Sequence, residues 1–155
     1  MPESTRKPRI ALGADHAGFH IKEVIKGFLE GQGYPVDDAG TWSEESVDYP
    51  DYARKVADEV AQGQAPLGIL VCGTGMGMAI AANKVAGIRA ATAHDAITAR
   101  AAREHNDANV LTLGGRVVDP ERAVEIVREF LDASFAGGRH QRRIDKITEI
   151  DRARK

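Results

Sequence analysis

The chain has 155 residues and a formal net charge of −2, with 43% hydrophobic and 28% charged residues. That is the balance of one globular domain with a real core, without the basic bias that would favour nucleic acid or a membrane surface. No apolar run approaches the roughly 20 residues that span a bilayer, and a single cysteine, Cys72, excludes an internal disulfide and a cysteine-rich metal site.

Residues 1–8 are polar and lack the apolar stretch of a signal peptide, so a short disordered lead and a cytoplasmic location are expected. Residues 9–13 (RIALG) form a candidate buried strand. Phe19, Ile21, Val24, Ile25, Phe28 and Leu29 then recur at helical spacing, and Gly31 and Gly33 mark the helix end. Residues 34–37 read as a short second strand and residues 39–50 as a loop. A helix over 51–62 turns Tyr52, Val56 and Val60 inward. Residues 67–72 (LGILVC) are the clearest buried strand. A glycine-rich turn over 73–77 follows, then a helix over 78–85 and a fourth strand over 88–92. Alanine-rich residues 96–105 predict a fourth helix, and residues 110–113 a fifth strand. Asp119-Pro120-Glu121 opens a helix to about residue 134, with aspartate at the cap and proline in the first turn. Gly137-Gly138 breaks the chain before a basic helix over 141–150, and residues 151–155 read as a charged, fraying tail.

Strands alternating with helices predict βαβ units and a parallel sheet covered on both faces, in one domain over 9–150. Ligands of such sheets bind at the carboxyl ends of the strands. Asp15 and His16 follow the first strand, and Cys72, Gly73, Thr74, Gly75, Met76 and Gly77 follow the third. His105 and Asn106 stand just before the fifth strand, and Arg116 just after it. Glycines at 73, 75 and 77 let backbone amides face one concavity, which could hold a phosphate, a carboxylate or an enolate oxygen, or serve packing alone. Cys72 at its mouth could be nucleophile, base or inert core. His105 could equally be a helix cap, and Asp15 and His16 a turn. His20 and His94 read as structural, and His140 stays open. Arg139, Arg142 and Arg143 form either a solvated face or an anion clamp, since Arg139 and Arg143 lie one helical turn apart and guanidinium forks suit phosphate. Neither metal-ligand spacing nor a serine elbow is present. Proton transfer beside a carbonyl of a phosphorylated substrate fits this set of residue types.

GADHAGF from Gly13, CGTGMG from Cys72, AANK from Ala81, HNDAN from His105, GRVV from Gly115 and GGRH from Gly137 occur in order along the chain. Together they resemble ribose-5-phosphate isomerase B, of the wider ribose/galactose phosphate isomerase family. The resemblance implies a three-layer αβα sandwich with a five-stranded parallel Rossmann-like sheet and a C-terminal helix. It implies an aldose–ketose isomerase that needs neither metal nor cofactor and interconverts ribose 5-phosphate and ribulose 5-phosphate. Cys72 would be the general base, Thr74 with the backbone of Gly73, Gly75 and Gly77 the anion hole, and Met76 a substrate contact. His105 would open the sugar ring, with Asp15 beside the O1 and O2 hydroxyls. Asn106 and Tyr49 would contact the sugar, and His16, Arg116, Arg139 and Arg143 the phosphate. Family members are dimers or tetramers with sites shared between subunits, so a homo-oligomer is expected. Met78 stands where another branch of the family carries a glutamate base, which favours the thiol. A hexose phosphate substrate, allose 6-phosphate or galactose 6-phosphate, and a non-catalytic sugar-phosphate binding module are the rival expectations.

Overall fold

In a computed structural model, which describes residues 6–154, five strands alternate with six helices. They are β1 (Ile10–Ala14), α1 (Phe19–Gly31), β2 (Val36–Asp38), α2 (Tyr49–Ala61), β3 (Leu67–Cys72), α3 (Met76–Ala82), β4 (Ala90–Thr92), α4 (Ala96–Glu104), β5 (Val110–Gly114), α5 (Pro120–Asp132) and α6 (Arg139–Ala153). The strands form one parallel sheet in the order β2-β1-β3-β5-β4.

Side chains alternate across a strand, and that alternation builds two cores. Ile69 and Val71 of β3, with Leu111 and Leu113 of β5, face Ile25, Ile126 and Phe130 on one side. Leu70 and Cys72 face Val56, Ala57 and Met78 on the other. The layers are therefore α1, α4 and α5, then the sheet, then α2 and α3. The near-continuous apolar run of β3 is what burial on both faces requires. Phe130 is fully buried, and truncating it to alanine is expected to cost about 3–5 kcal/mol.

Strand order places the chemistry. From β1 the chain runs outward to β2, returns to β3 beside β1, and then builds β4 and β5 on the far side. The crevice of such a sheet opens between the diverging connections, here after β1 and β3. Register keeps these ends level: Ala14 pairs with Val71, and Cys72 with Gly114.

One buried ion pair supports this end. Lys22 of α1 is fully buried. Its Nζ donates to both oxygens of Asp38 at 2.8 Å and lies 4.7 Å over the Trp42 ring. Burial pushes the Asp38 carboxyl up, but hydrogen bonds from Lys22, the Gly40 amide and Lys26 outweigh it and hold the group below its ordinary value.

Several boundaries differ from the sequence expectation. The first helical residue of α3 is Met76, not residue 78, because Gly75 takes φ +83° and acts as its N-cap. α2 starts at Tyr49, since Pro50 is compatible with a first helical turn. β4 covers only Ala90–Thr92. The expected tail is helical through Ala153. Asp151 Oδ2 accepts from the Gly87 amide at 2.7 Å, and Arg154 donates to the carbonyls of Lys84 and Asn83. Of the expected lead, residues 1–5 lie outside the described residues, as does Lys155, while Arg6, Lys7 and Pro8 are exposed and precede β1. Among the described residues, no helix is long and apolar enough to cross a membrane.

Candidate active site

The turn after β3 is built on close approaches. A Cβ on Gly75 would stand 2.9 Å from the backbone carbon of Leu113, and the positive φ independently favours glycine there. A Cβ on Gly77 would stand 2.5 Å from the Tyr49 ring, so the absence of a side chain lets that ring lie against the turn. Behind the turn, the hydroxyls of Thr92 and Thr112 are 2.7 Å apart, and Thr92 donates to the Gly75 carbonyl at 3.4 Å.

Cys72 closes β3 and is only 4% exposed. The Gly75 amide donates to its sulfur at 3.2 Å. The β5 turn is zipped onto the same segment: the Gly115 amide donates to the Cys72 carbonyl at 2.7 Å and the Arg116 amide to the Gly73 carbonyl at 3.0 Å. Arg116 reaches back, so that its Nη1 would be 3.3 Å from a Cβ on Gly73. A sulfur, a backbone donor and a guanidinium thus meet at one turn. Thr74 is exposed and its hydroxyl accepts from the Met76 amide at 3.3 Å, while Met76 opens α3 toward solvent.

Across the β1–β3 crevice, one Asp15 oxygen accepts from the amides of Ala17 and Gly18, both at 3.0 Å, and the residue is buried. Asp15 therefore shapes the turn that presents His16. The Val47 amide donates to His16 Nδ1 at 3.1 Å. That bond assigns the proton of the neutral imidazole to Nε2, the nitrogen left to meet a ligand. The Val47 contact crosses 31 residues and left no signal in the sequence.

The remaining expected residues lie elsewhere. His105 caps the C-terminus of α4, and α4 leads into the amino end of β5. Val110 pairs with Gly68 and Gly114 with Cys72. At about 3.3 Å per residue, the start of β5 is about 13 Å from the level of Cys72. His105 and Asn106 therefore belong to the amino edge of the sheet, not to the carboxyl edge where the sequence reading grouped them. The segment after α5 docks on the same edge, with the Ala136 amide donating to the Glu104 carbonyl at 3.0 Å. This brings His140 onto His105, with ring centroids 4.5 Å apart and planes 16° from parallel. Burial, then the charges of His105, Arg139 and Arg143, hold the His140 imidazole below its ordinary value. Arg139 and Arg143 open α6, are exposed, and form no ion pair among the described residues.

A cavity of about 360 Å³ opens between α6 and β4, with Asn106 on its wall. It contains neither Cys72 nor the glycine turn. No group of three or more His, Cys, Asp and Glu residues suited to a metal ion occurs among the described residues. The AANK motif is structural: Asn83 caps α3 and exchanges two hydrogen bonds with Ala90, at 2.9 and 2.7 Å, to hold the edge strand β4.

Known proteins bear on this arrangement. Ribose-5-phosphate isomerase B of Escherichia coli is 51% identical over 146 residues, covering 94% of this chain and 98% of the relative. The structure of a Clostridium thermocellum ribose-5-phosphate isomerase B superposes with a TM-score of 0.92 at 52% identity, covering 93% of this chain and 97% of that one. A ribose-5-phosphate isomerase B from Mycoplasma genitalium, solved with bound ribulose 5-phosphate, gives a TM-score of 0.91 at 44% identity, covering 94% and 97%. The model of the Ribose/Galactose Isomerase family matches residues 10–147, and with the shared five-stranded sheet this makes the chain a member of that family.

Proposed function

We propose that this protein interconverts ribose 5-phosphate and ribulose 5-phosphate through a cis-enediolate, with Cys72 as general base. The observation that carries the reading is the Cys72 sulfur 3.2 Å from the Gly75 amide, at a turn bordered by Arg116. The names of the E. coli and M. genitalium relatives, and the ribulose 5-phosphate bound in the latter, support the choice of substrate.

In this reading the sulfur takes the C2 proton of the open-chain aldose. The bond electrons move toward C1, and the charge on the enediolate oxygens falls to the amides of the 73–77 turn and to Thr74. Donors already fixed in place stabilise that charge without reorganising, and losing one such donor typically costs around 3 kcal/mol. The proton on O2 passes to O1, beside Asp15, and return of the carbon-bound proton to C1 as the O2 electrons form the C2 carbonyl completes the ketose. Asp15 stands beside the O1 and O2 hydroxyls, and Tyr49 bounds the sugar. His16 and Arg116 hold the phosphate from this edge.

The other members of the set come from a second copy of the chain. His105 opens the furanose, Asn106 contacts the sugar, and Arg139 and Arg143 complete the phosphate clamp. Strand register supports this assembly, because one chain holds these residues at the opposite edge of its sheet from Cys72. The homo-oligomer is a dimer or tetramer, working in the cytoplasm.

The deciding experiment is a coupled assay of ribose 5-phosphate with excess chelator. Turnover is expected. Absence of turnover, or a much higher kcat/KM for allose 6-phosphate or galactose 6-phosphate, would overturn the assignment. Binding of the phosphate ester without any turnover would leave only a binding module.

A further inference from the structure

The segment that carries His105 and Asn106 continues into residues with no part in the chemistry above. Among the described residues, Asp107 is the one non-glycine residue with positive φ, at +46°. That left-handed region is disfavoured for most side chains, and aspartate and asparagine are among the few that tolerate it. Backbone held in such a region at the rim of a site is a reason to ask what it holds in place.

Two arginines from different elements grip Asp107. Arg103 of α4 donates through Nη1 to Asp107 Oδ1 at 3.2 Å and to the Ala108 carbonyl at 2.6 Å. Arg89, just before β4, donates through Nη2 to Asp107 Oδ2 at 3.2 Å and through Nε to the Asp107 carbonyl at 2.9 Å. Neither arginine is loose. The Arg103 guanidinium lies 5.7 Å from the centroid of the buried Phe130 ring. The Arg89 amide donates to Asn109 Oδ1 at 2.8 Å, and Asn109 Nδ2 donates to the Gly87 carbonyl at 2.9 Å. The chain that leaves His105 and Asn106 is thus tied to α4 and to the β4 edge at once, while the His105 ring rests on His140.

We propose that Asp107, clamped between Arg89 and Arg103, is a positioning residue that sets His105 for opening the sugar ring. The proposal rests on the isomerase reading, in which His105 performs that step. It makes a separable claim, because ribose 5-phosphate closes a furanose through O4 whereas ribulose 5-phosphate, its C5 oxygen esterified, stays open. In D2O the base can take a C1 proton from ribulose 5-phosphate, exchange it with solvent and return deuterium to C1. That cycle needs Cys72 and the anion hole but no ring opening.

The test compares Asp107→Gly and Asp107→Asn with the wild-type enzyme in both assays. Glycine keeps the backbone freedom and removes the carboxylate. Asparagine tolerates the left-handed region and keeps one acceptor oxygen. Asp107→Gly is expected to lower kcat on ribose 5-phosphate by at least about fivefold, with KM and deuterium exchange within about twofold of wild type, and Asp107→Asn to recover part of the loss. If a melting curve shows that the glycine variant does not fold, Asp107→Asn decides alone: a kcat loss of about twofold or more with exchange intact supports the role. Unchanged kcat in a folded variant, or equal losses in both assays, would overturn it. A wild-type protein that neither isomerises nor exchanges would instead defeat the isomerase reading, and the positioning role with it.

Discussion

The two edges of the sheet carry different kinds of chemistry. At the carboxyl edge the central groups are enclosed and tied down, with Thr74, Tyr49 and Arg116 exposed around them: Cys72 is 4% exposed, Asp15 is buried, and His16 and Gly75 are fixed by amide contacts at 3.1 and 3.2 Å. At the amino edge His105, Asn106, Arg139 and Arg143 are all exposed, while the His105–His140 stack and the Asp107 clamp restrain the segment around His105. Preorganised donors belong where charge develops in a reaction, and exposed guanidinium groups belong where a phosphate arrives. In the proposed reading neither edge is sufficient alone. A closed point-group dimer can place the amino edge of one copy over the carboxyl edge of the other, and repeat the arrangement at the second site.

The largest expected effects come from breaking each edge separately. Cys72→Ala should lose at least about two decades of kcat while keeping affinity for inorganic phosphate. His105→Ala should also lose turnover of ribose 5-phosphate. Each variant spoils a different half of every site, so mixed dimers sharpen the comparison. Co-refolding equal amounts should restore about a quarter of wild-type activity, because half the dimers are mixed and each of those has one intact site. If His105 served the cysteine of its own chain, no mixture would recover anything. Near-normal rates in Cys72→Ala would remove the thiol from the mechanism.

The sequence carried much of this division. The run L-G-I-L-V-C marked β3 because burial on both faces demands an unbroken apolar strand. The glycines at 75 and 77 marked a turn because a Cβ there would meet backbone or the Tyr49 ring. The separation of the edges was available but missed: a residue that ends a helix before a strand stands at the amino end of the sheet, as His105 does, yet it was grouped with the residues that follow the strands. What could not be read are contacts between distant segments: Val47 on His16, Ala136 on Glu104, Asp151 on Gly87. Lys22 shows the same limit. It stands buried on α1, and nothing in the local pattern names Asp38, 16 residues on, as its partner. The last turn of α6 is likewise held by carbonyls and an amide far away in the chain.

A middle-sized effect tests whether the amino edge binds phosphate at all. Arg143→Ala should raise KM for ribose 5-phosphate by about tenfold, the scale of one charge-assisted hydrogen bond, with a smaller change in kcat. Arg139→Ala should act in the same direction. Arg142, exposed on the same helix and assigned no phosphate contact, is the internal control, and its alanine variant should leave KM unchanged. Equal KM values across all three variants would return the cluster to a solvated helix face and leave His16 and Arg116 as the only phosphate ligands.

The smallest effect lies on neither half-site. Glu59, near the C-terminus of α2, faces Asp37 on the edge strand β2. Burial, then the Asp37 carboxylate, pushes the Glu59 carboxyl up to about 7, while Asp37 is held below its ordinary value first by its hydrogen bond with Glu59 and then by Arg9, paired with it at 2.6 Å. The pair therefore shares a proton that resides on Glu59. Between pH 4.5, the ordinary value for glutamate, and pH 7, the folded protein binds more protons at this site than the unfolded chain. Stability from Glu59 is thus fully present below pH 4.5 and declines as pH rises through that window. Glu59→Gln removes the ionisation. It should match the wild type near pH 4 and exceed it at pH 8 by about 1 kcal/mol, a figure discounted for the solvent exposure of the pair. Chemical denaturation at the two pH values measures the difference. Because Glu59 touches no residue assigned to substrate, kcat and KM should not change. A rate change in this variant would mean that the two edges communicate through α2, so that the division between them is not one of independent parts.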